Sequence, residues 1–424
     1  MKILIVGGGG REHALAWKCA EPTYVDKVFC APGNAGTARE DKVINVAISP
    51  EDLERLASFA EEENIALTIV GPEAPLVSGI VNVFNARGLK CFGPTKEASV
   101  LEGSKVFTKD FLHRHGIPTG RYKSFSDISG ALNYIKDCEF PLVIKADGLA
   151  SGKGVFITSD LVEAEGVVRT ILSGNKFGEA GSQIVIEEFL DGEEMSFFVV
   201  CDGKSFKTFD TAQDHKRVLE GDKGKNTGGM GAYSPSRLIT KELENKVIDK
   251  IINPTLKGLD EMGTNYKGFL YAGLMIVKNE PYLIEYNVRM GDPECQTILP
   301  KLKTDLFDII IAATDGKLDN LKIEWEDLKS LCVVVCSKGY PDEFKKNIKL
   351  ENIKKVHENK HNYLFHAGTK KQNNSVYATG GRVLNFVSTS NDFSEARINI
   401  FENINKLNWS NGYYRRDIGY KVIK

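Results

Sequence analysis

The chain has 424 residues, of which 42% are hydrophobic and 26% charged, enough for about three domains with apolar cores. Its formal net charge of −2 gives no sign of a nucleic-acid or acidic-surface partner. No apolar run approaches a membrane span, MKILIV is too short for a signal-peptide core, and the eight cysteines contain no CxxC pair. We therefore expect a multidomain protein of the reducing cytoplasm that binds neither membranes nor nucleic acid.

The N-terminal residues alternate short apolar runs, such as KILIV and LTIV, with amphipathic helices. This rhythm predicts a doubly wound parallel α/β domain. Gly7–Gly10 separate the first strand from the first helix, where backbone N–H groups can face an anion. A dinucleotide site fits poorly, because His13 replaces the third glycine of the fingerprint and no acid closes a second strand. Arg11 and His13 favour a single phosphate, although a tight turn without ligand stays open.

Two other strand ends in this domain carry polar residues. Asn34 in APGNAGT and Glu73 in GPEAPL follow predicted strands, the usual place for ligands in an open α/β sheet. Both side chains could contact ribose hydroxyls.

The segment VIKADGLASGKGV, in the middle of the chain, predicts two antiparallel strands joined by a glycine-rich turn. It is not a Walker A loop, because Gly154 stands where Ser or Thr would ligate magnesium. Such a turn can close over a nucleotide, so that its amides and Lys153 meet the phosphates. Lys145 ends the preceding apolar strand, where a solvated rim is an equal alternative.

The segment IVIEEFLDGEE places two acids in an apolar strand, where unpaired charge is costly. Glu187 could accept from an adenine amino group, the Phe189–Leu190 backbone could read the ring edge, and Glu194 could bind ribose hydroxyls. Ordinary strand-end charges are an equal alternative. The polar, glycine-rich segment 212–232 is too long and unpatterned for a simple turn, which favours a functional loop. The residues after 328 predict a small α+β domain.

The stretch YLIEYNVRMGDPE predicts a strand with Glu285, Asn287 and Arg289 on one face. Ile284, Tyr286 and Val288 should then form the core face. A row of carboxylate, amide and guanidinium groups indicates a hard-cation site beside an anion clamp. A solvated face with a chance ion pair is the alternative.

Taken in order, several segments resemble the ATP-grasp superfamily, and more narrowly the phosphoribosylamine–glycine ligase family. The resemblance is carried by GGREHALAWK, APGNAGT, LTIVGPEAPLV, VIKADGLASGKGV, IVIEEFLDGEEMSF, AQDHKRV, NTGGMGAYSP, GFLYAGLM, LIEYNVRMGDPE, FHAGT and GGRVL. It implies that ATP, glycine and 5-phosphoribosylamine become ADP, phosphate and glycinamide ribonucleotide, the second step of de novo purine synthesis. It also implies an N-terminal substrate domain (1–103), an ATP-grasp domain (104–327) with a mobile small lobe at about 120–190, and a C-terminal domain (328–424).

The resemblance also implies roles for individual residues. The ATP-binding set is Lys105, Lys145, Gly152, Lys153, Gly154, Glu187, Phe189, Leu190 and Glu194. The substrate-binding set is Gly9, Gly10, Arg11, His13, Asn34, Glu73, Asp214, Lys216, Arg217, Arg289, Gly291 and Asp292. Glu285 and Asn287 would ligate Mg²⁺ or Mn²⁺, Arg289 would hold the glycine carboxylate or acyl phosphate, and Asp214 or His215 could take the amine proton.

Three rival functions remain at this stage, and we expect a monomer in each case. Another ATP-grasp enzyme, such as a carboxylase of purine or biotin metabolism, would activate bicarbonate instead of glycine. A nucleotide-dependent oxidoreductase would use the first glycine-rich turn, and a non-catalytic sensor would bind ATP without turnover. AQDHKR and NTGGMGAYSP favour the glycine ligase.

Overall fold

The computed structural model describes residues 1–149, 154–174 and 178–423. The N-terminal domain is a parallel sheet in the order β3-β2-β1-β4-β5, as the alternating pattern predicts. Its strands are β1 (Lys2–Gly7), β2 (Lys27–Pro32), β3 (Val43–Asn45), β4 (Leu67–Val70) and β5 (Cys91–Phe92). Its helices are α1 (Gly10–Ala20), α2 (Leu53–Glu62), α3 (Glu73–Ser78), α4 (Ile80–Ala86) and α5 (Lys96–Gly103). The apolar strands are buried because helices cover the sheet.

A short helix, α6 (Lys105–Arg114), leads into an antiparallel lobe with the strand order β6-β9-β7-β8. The strands are β6 (Tyr122–Phe125), β7 (Leu142–Ala146), β8 (Val155–Thr158) and β9 (Ile184–Glu188). Two helices, α7 (Ile128–Ile135) and α8 (Leu161–Leu172), pack on this sheet and complete its separate apolar core. The expected strand pair around the glycine-rich turn is therefore β7–β8.

The second lobe contains an antiparallel sheet in the order β11-β10-β16-β17. Its strands are β10 (Glu193–Asp202), β11 (Phe206–Thr208), β16 (Lys267–Val277) and β17 (Glu280–Asn287). Its helices are α9 (Lys241–Val247), α10 (Asn253–Glu261), α11 (Glu294–Ile298) and α12 (Leu306–Thr314), with a π-helical turn at Ile248–Ile252 between α9 and α10. The N-terminal domain and this lobe share apolar cores, and α5 packs against β17.

The C-terminal sheet has the order β12-β15-β18-β23-β20, with β24 paired to β18. Its strands are β12 (Gln213–Asp214), β15 (Gly231–Ser234), β18 (Lys329–Ser337), β20 (Asn362–His366), β23 (Arg382–Ser390) and β24 (Gly412–Tyr413). The remaining strands are β13 (Arg217–Leu219), β14 (Lys223–Asn226), β19 (Ile348–Lys349), β21 (Thr369–Gln372) and β22 (Ser375–Ala378), and the helix is α13 (Phe393–Leu407).

The expectation of an irregular loop at 212–232 was wrong. This segment forms β12, the β13–β14 hairpin and β15, and β15 pairs with β18 about a hundred residues later in the chain. Strands of two to four residues are too short to show alternation, so the partner strand and not the local pattern determines this structure.

Among the helices of the described ranges, none combines the length and the apolar character that a membrane span requires.

Candidate active site

The end of β17 carries the two predicted metal ligands on one face, but the apolar residues that face the core differ from those we expected. A bulge leaves Ile284 without a partner on β16, so Leu283 and not Ile284 joins Tyr286 in the core. Glu285 and Asn287 remain on the same face, because both lie beyond the bulge. The strand ends at Asn287, and the expected continuation to Arg289 is absent from the ladder.

The Glu285 carboxylate and the Asn287 side-chain amide have no hydrogen bond or ion pair with the described part of the chain. Burial raises the pKa of Glu285, but the charges of Lys216, Lys145 and Lys105 outweigh burial and hold that pKa below its ordinary value. Two free oxygen donors therefore lie in a positively charged, half-buried region. These donors suit a hard divalent cation that also coordinates phosphate oxygens. Within the described ranges, no cluster of three or more His, Cys, Asp or Glu side chains could hold a metal without such help.

Arg289 projects from the end of β17 into the N-terminal domain. Its Nε lies 3.2 Å from the Glu73 Oε2, its Nη2 lies 2.7 Å from the Glu102 Oε1, and its Nη1 donates to the Met290 carbonyl at 3.3 Å. Glu73, which we expected to contact ribose, is thus paired with Arg289, whose charge lowers the pKa of Glu73 to about 2. Two of the five N–H groups of Arg289 have no partner among the described residues and can bind a ligand.

Glu187 lies between two buried lysines. Its carboxylate is 2.7 Å from the Lys109 Nζ and 2.9 Å from the Lys145 Nζ, and all three side chains are at most 7% exposed. Lys145 also donates to the Ile284 carbonyl on β17, and Lys109 donates to the Thr119 hydroxyl. Burial lowers the pKa of Lys109 to about 8, against the raising effect of Glu187. The charge on Glu187 is therefore already neutralised inside the protein, which leaves less of it for an adenine amino group.

The connection between the two lobes follows Glu187. Phe189 is exposed and Leu190 half-buried, so both main-chain and side-chain groups are accessible at this hinge. Glu194, at the start of β10, pairs with the Lys216 Nζ at 2.6 Å. Burial lowers the pKa of Lys216, but Glu194 and the neighbouring acids raise it well above its ordinary value.

The expected phosphate loop is described only in part. Lys105 donates from Nζ to the Gly148 carbonyl at 2.8 Å, and its main-chain N–H donates to Asp147. Gly154 closes the turn through its carbonyl, which accepts from Ala146 N–H at 2.8 Å. The predicted phosphate contacts Gly152 and Lys153 lie outside the described residues.

Successive side chains of the segment AQDHKR, which includes β12, point in opposite directions. Lys216 faces Glu285, and Asp214 lies near Lys216 and Glu294, whereas His215 is buried under the C-terminal segment. The Asp214 Oδ1 is buried and has no hydrogen-bond partner among the described residues. Burial, reinforced by the charge of Glu294, raises the pKa of Asp214 well above its ordinary value. An unpaired buried oxygen facing the site is a strong candidate for binding a cationic group.

Both ring nitrogens of His215, which we predicted as a possible base, have hydrogen-bond partners within the fold. Its Nδ1 contacts the Gly231 carbonyl at 3.3 Å, and its Nε2 accepts from the Gly419 N–H at 3.3 Å. Burial, together with the charge of Arg415, lowers the pKa of His215 to about 4. Arg217 points along the hairpin, where it donates to the Gly224 carbonyl at 2.8 Å. Neither side chain reaches the Glu285 region through a contact seen here.

The first glycine turn is held by the side chains that follow it. Gly9 N–H donates to the Glu12 carboxylate at 2.6 Å, and Arg11 N–H donates to the Asp292 Oδ2 at 3.3 Å. The Arg11 side chain is buried, with Nε 2.6 Å from the Glu12 Oε1 and Nη1 donating to the Met290 carbonyl at 3.1 Å. Arg11 thus ties the turn to the segment after β17 and does not extend into an open phosphate pocket.

His13 and Asn34 also have internal partners. His13 is fully buried, accepts at Nδ1 from the His366 N–H at 2.7 Å, and has its Nε2 3.0 Å from Glu40. Asn34 donates to the carbonyls of Gly8 and His366 and accepts from two backbone N–H groups. Asn34 therefore holds the glycine turn through the Gly8 carbonyl, whereas both ring nitrogens of His13 are occupied by His366 and Glu40.

The Gly-Asp-Pro segment that follows β17 (residues 291–293) lies next to the glycine turn. Asp292 accepts from the Gln296 side chain at 2.6 Å and lies 3.3 Å from the Arg382 guanidinium of the C-terminal domain. At Gly291 a Cβ would stand 2.3 Å from the Glu294 Oε2, so a larger residue there would displace the Glu294 carboxylate. Asp292 and Gly291 therefore lie where the N-terminal turn, the second lobe and the C-terminal domain meet.

Four residues that touch this site were missing from the sequence-based set. They are Glu102, Lys109, Glu294 and Arg382. Glu102 and Arg382 make their contacts across a domain boundary, and Lys109 and Glu294 contact strands far from them in the sequence, so local pattern gives no signal. Lys109 alone among the four had a sequence signal, because Glu187 and Glu188 in an apolar strand require buried cationic partners.

Comparison with known proteins covers almost the whole chain. Residues 1–102, 103–295 and 330–421 match the N domain, the ATP-grasp (A) domain and the C domain of phosphoribosylglycinamide synthetase. A phosphoribosylamine–glycine ligase of Pasteurella multocida is 51% identical over 100% of this chain and 98% of its own length. The crystal structure of phosphoribosylamine–glycine ligase from Thermotoga maritima superposes with a TM-score of 0.86 at 34% identity, over 99% of this chain and 100% of that one. A biotin carboxylase from Campylobacter jejuni shares only the fold, with a TM-score of 0.73 at 16% identity, over 96% of this chain and 91% of that one. The chain therefore belongs to the phosphoribosylglycinamide synthetase family.

Proposed function

We propose that the chain is an ATP-dependent ligase that joins glycine to 5-phosphoribosylamine, giving glycinamide ribonucleotide, ADP and phosphate. The substrates follow from relatives at about half identity over full length that are named phosphoribosylamine–glycine ligase. The observation that carries the chemistry is the end of β17, where two unpartnered oxygen donors face three lysines beside Arg289. Phosphoryl transfer between two anions requires this neutralisation and alignment more than it requires a protein nucleophile.

Glu285 and Asn287 would hold Mg²⁺ or Mn²⁺. The cation, when bound, would neutralise the phosphate oxygens of ATP during transfer to the glycine carboxylate. Both oxygens lack partners in the described ranges, so the residues present fit a hard cation.

ATP would bind at the hinge between the lobes. Lys105 and Lys145 would contact the phosphates, with Gly154 and the loop that carries Gly152 and Lys153 closing over them. Phe189, Leu190 and Glu187 would border the adenine, and Glu194 would bind ribose hydroxyls. Most of the charge of Glu187 would balance the two lysines with which it is paired.

Glycine would be held at both ends. Its carboxylate would take the two free N–H groups of Arg289, and its ammonium would supply the partner that the Asp214 Oδ1 lacks. The charge of Glu294 acts on both of these anchors. A protonated ammonium cannot attack, so this arrangement protects the glycine amine while its carboxylate is activated.

5-Phosphoribosylamine would approach from the corner formed by Gly9, Gly10, Gly291 and Asp292. Arg11, His13 and Asn34 would act there by shaping the glycine turn. The ribosylamine nitrogen attacks the carbonyl carbon of glycyl phosphate, the C–O bond to phosphate breaks, and the amine proton leaves to Asp214 or solvent. Phosphate departs with the electron pair.

The test is ADP release with Mg²⁺, first complete and then without glycine or without 5-phosphoribosylamine. We expect ADP and glycinamide ribonucleotide in equal amounts, only when both substrates are present. Glu285→Gln should reduce kcat about 100-fold. Glu280→Gln, on the same strand but paired with the half-buried Lys246 and the exposed Lys250, should leave kcat unchanged. ADP release that depends on bicarbonate and ignores glycine would replace this function with a carboxylase.

A further inference from the structure

Glu102 joins the end of β17 to the guanidinium that follows it. One oxygen, Oε2, accepts the Val288 N–H at 2.7 Å, and the other, Oε1, lies 2.7 Å from the Arg289 Nη2. Val288 and Arg289 lie beyond the last paired residue of the ladder, Asn287, so the sheet does not fix them. A single carboxylate therefore fixes both the main chain and the side chain at this point.

Glu102 acts from a different domain than Arg289. It ends α5 of the N-terminal domain, 187 positions before Arg289, and its side chain is only 8% exposed. Glu73, at the start of α3, holds the guanidinium from a second side at 3.2 Å. Together with the Met290 carbonyl, the two carboxylates occupy three of the five N–H groups, so the direction of the two that have no partner among the described residues is determined.

The same helix end also connects to the nucleotide side. Lys105 follows Glu102 by three positions and donates to the Gly148 carbonyl at 2.8 Å, while Asp147 accepts the Lys105 N–H at 2.6 Å. The junction of α5 and α6 thus contacts the β7–β8 turn through Lys105 and the anion clamp through Glu102. A shift of Glu102 would therefore misalign the clamp relative to the phosphates.

We propose that Glu102 is a positioning residue for ligation, which aims the free N–H groups of Arg289 at the carboxylate of the amino-acid substrate. It acts through Arg289 and does not contact substrate. A buried Arg–Glu pair contributes little net stability compared with apolar residues of the same volume, so a geometric role explains its presence better. The inference rests on the proposed function for the identity of that carboxylate.

The experiment compares Glu102→Gln with Glu97→Gln. Gln keeps the size of Glu102 and an acceptor for Val288 but loses the charge pair. Glu97 lies on the same helix, and its side chain is hydrogen-bonded to Asn82 and Thr95. We expect Glu102→Gln to lower kcat/KM for glycine by 10- to 100-fold while KM for ATP changes less than about twofold. Glu97→Gln should match the wild type in both. Glycine kinetics within twofold of wild type in a folded Glu102→Gln protein would overturn the proposal.

A double-mutant cycle separates positioning from general structure. If Glu102 acts through Arg289, adding Glu102→Gln to Arg289→Lys should cost less than threefold further in kcat/KM for glycine. An undiminished penalty in that background would refute the proposal. If Glu102→Gln does not fold, Glu102→Asp, which keeps the charge but cannot span both partners, replaces it in the same cycle.

A structural readout distinguishes this inference from the proposed function. In a crystal structure of Glu102→Gln, the Arg289 guanidinium should be displaced, whereas in Glu97→Gln it should superpose on the wild type. An unmoved guanidinium would refute the positioning role whatever the substrate is. Absence of glycine-dependent product from the wild type, with the displacement observed, would refute the proposed function and leave the positioning role standing.

Discussion

Replacement of Glu187 by Gln tests what the buried acid of β9 does. The substitution keeps the shape of the side chain but removes the only carboxylate contact of Lys109 and Lys145 within the described residues. These two lysine side chains are 3% and 4% exposed, so neither ammonium group can reach water without rearrangement. If Glu187 mainly balanced charge, the loss would appear as instability, and if it mainly bound adenine, the loss would appear only in ATP affinity.

The structure gives a magnitude and a pH dependence for this loss. Removing one partner of a buried ion pair costs about 3 to 5 kcal/mol of unfolding free energy. Burial already lowers the pKa of Lys109 to about 8, and without Glu187 that pKa should fall further. The variant then binds fewer protons in its native state than the wild type, so its stability rises more steeply with pH. The difference should therefore be largest near pH 7 and shrink towards pH 9.

The assay is urea unfolding of wild type, Glu187→Gln and Glu188→Gln at pH 7 and pH 9. Glu188 is the matched control, because it is the next residue of the same strand and pairs with Arg121, whose side chain is 83% exposed. Its loss should cost less than about 1 kcal/mol. A Glu187→Gln protein within 1 kcal/mol of wild type, but with weakened ATP binding, would refute the charge-balance reasoning.

Three further predictions concern other parts of the site. Arg289→Ala should lower kcat by about 100-fold or more, near 3 kcal/mol, because a preorganised charge contact is lost; near-normal turnover would remove it from the mechanism. The pKa of His215 is lowered from 6.5 to about 4, so the unfolding free energy should fall by about 1.4 kcal/mol per pH unit as the pH drops below 6.5. In urea unfolding, His215→Asn should lack this part of the pH dependence. An unchanged pH dependence would contradict the buried, neutral state of His215. Gly10→Ala should lower the unfolding free energy by about 1 to 3 kcal/mol, since its Cβ would stand 2.4 Å from the side-chain nitrogens of Asn385 and Gln296; wild-type stability would show that these amides move aside without cost.

The sequence predicts the domain types well because long periodic segments determine them. The alternation of KILIV and LTIV with amphipathic helices indicates the parallel sheet, and the β7–β8 pair follows from apolar runs around glycines. The strands of 212–232 were missed because two to four residues carry no period, and only β18 stabilises them.

The candidate site was predictable where one strand carries it and unpredictable where distant elements meet. Glu285 and Asn287 share a face by alternation, which a sequence shows directly. The partners of Arg289 lie 216 and 187 positions away, and no local pattern reveals them. His215 was predicted as a candidate base from its motif, but the same alternation that turns Asp214 towards Lys216 turns His215 into the C-terminal domain.

The central claim is that the glycine carboxylate is activated by phosphate transfer before the amine attacks. Glycine labelled with ¹⁸O in both carboxylate oxygens tests it directly, in a complete reaction with ATP, Mg²⁺ and 5-phosphoribosylamine. The account predicts one ¹⁸O atom in the released phosphate and one in the amide of the product, because the C–O bond of an acyl phosphate breaks. Released phosphate without ¹⁸O would contradict the account.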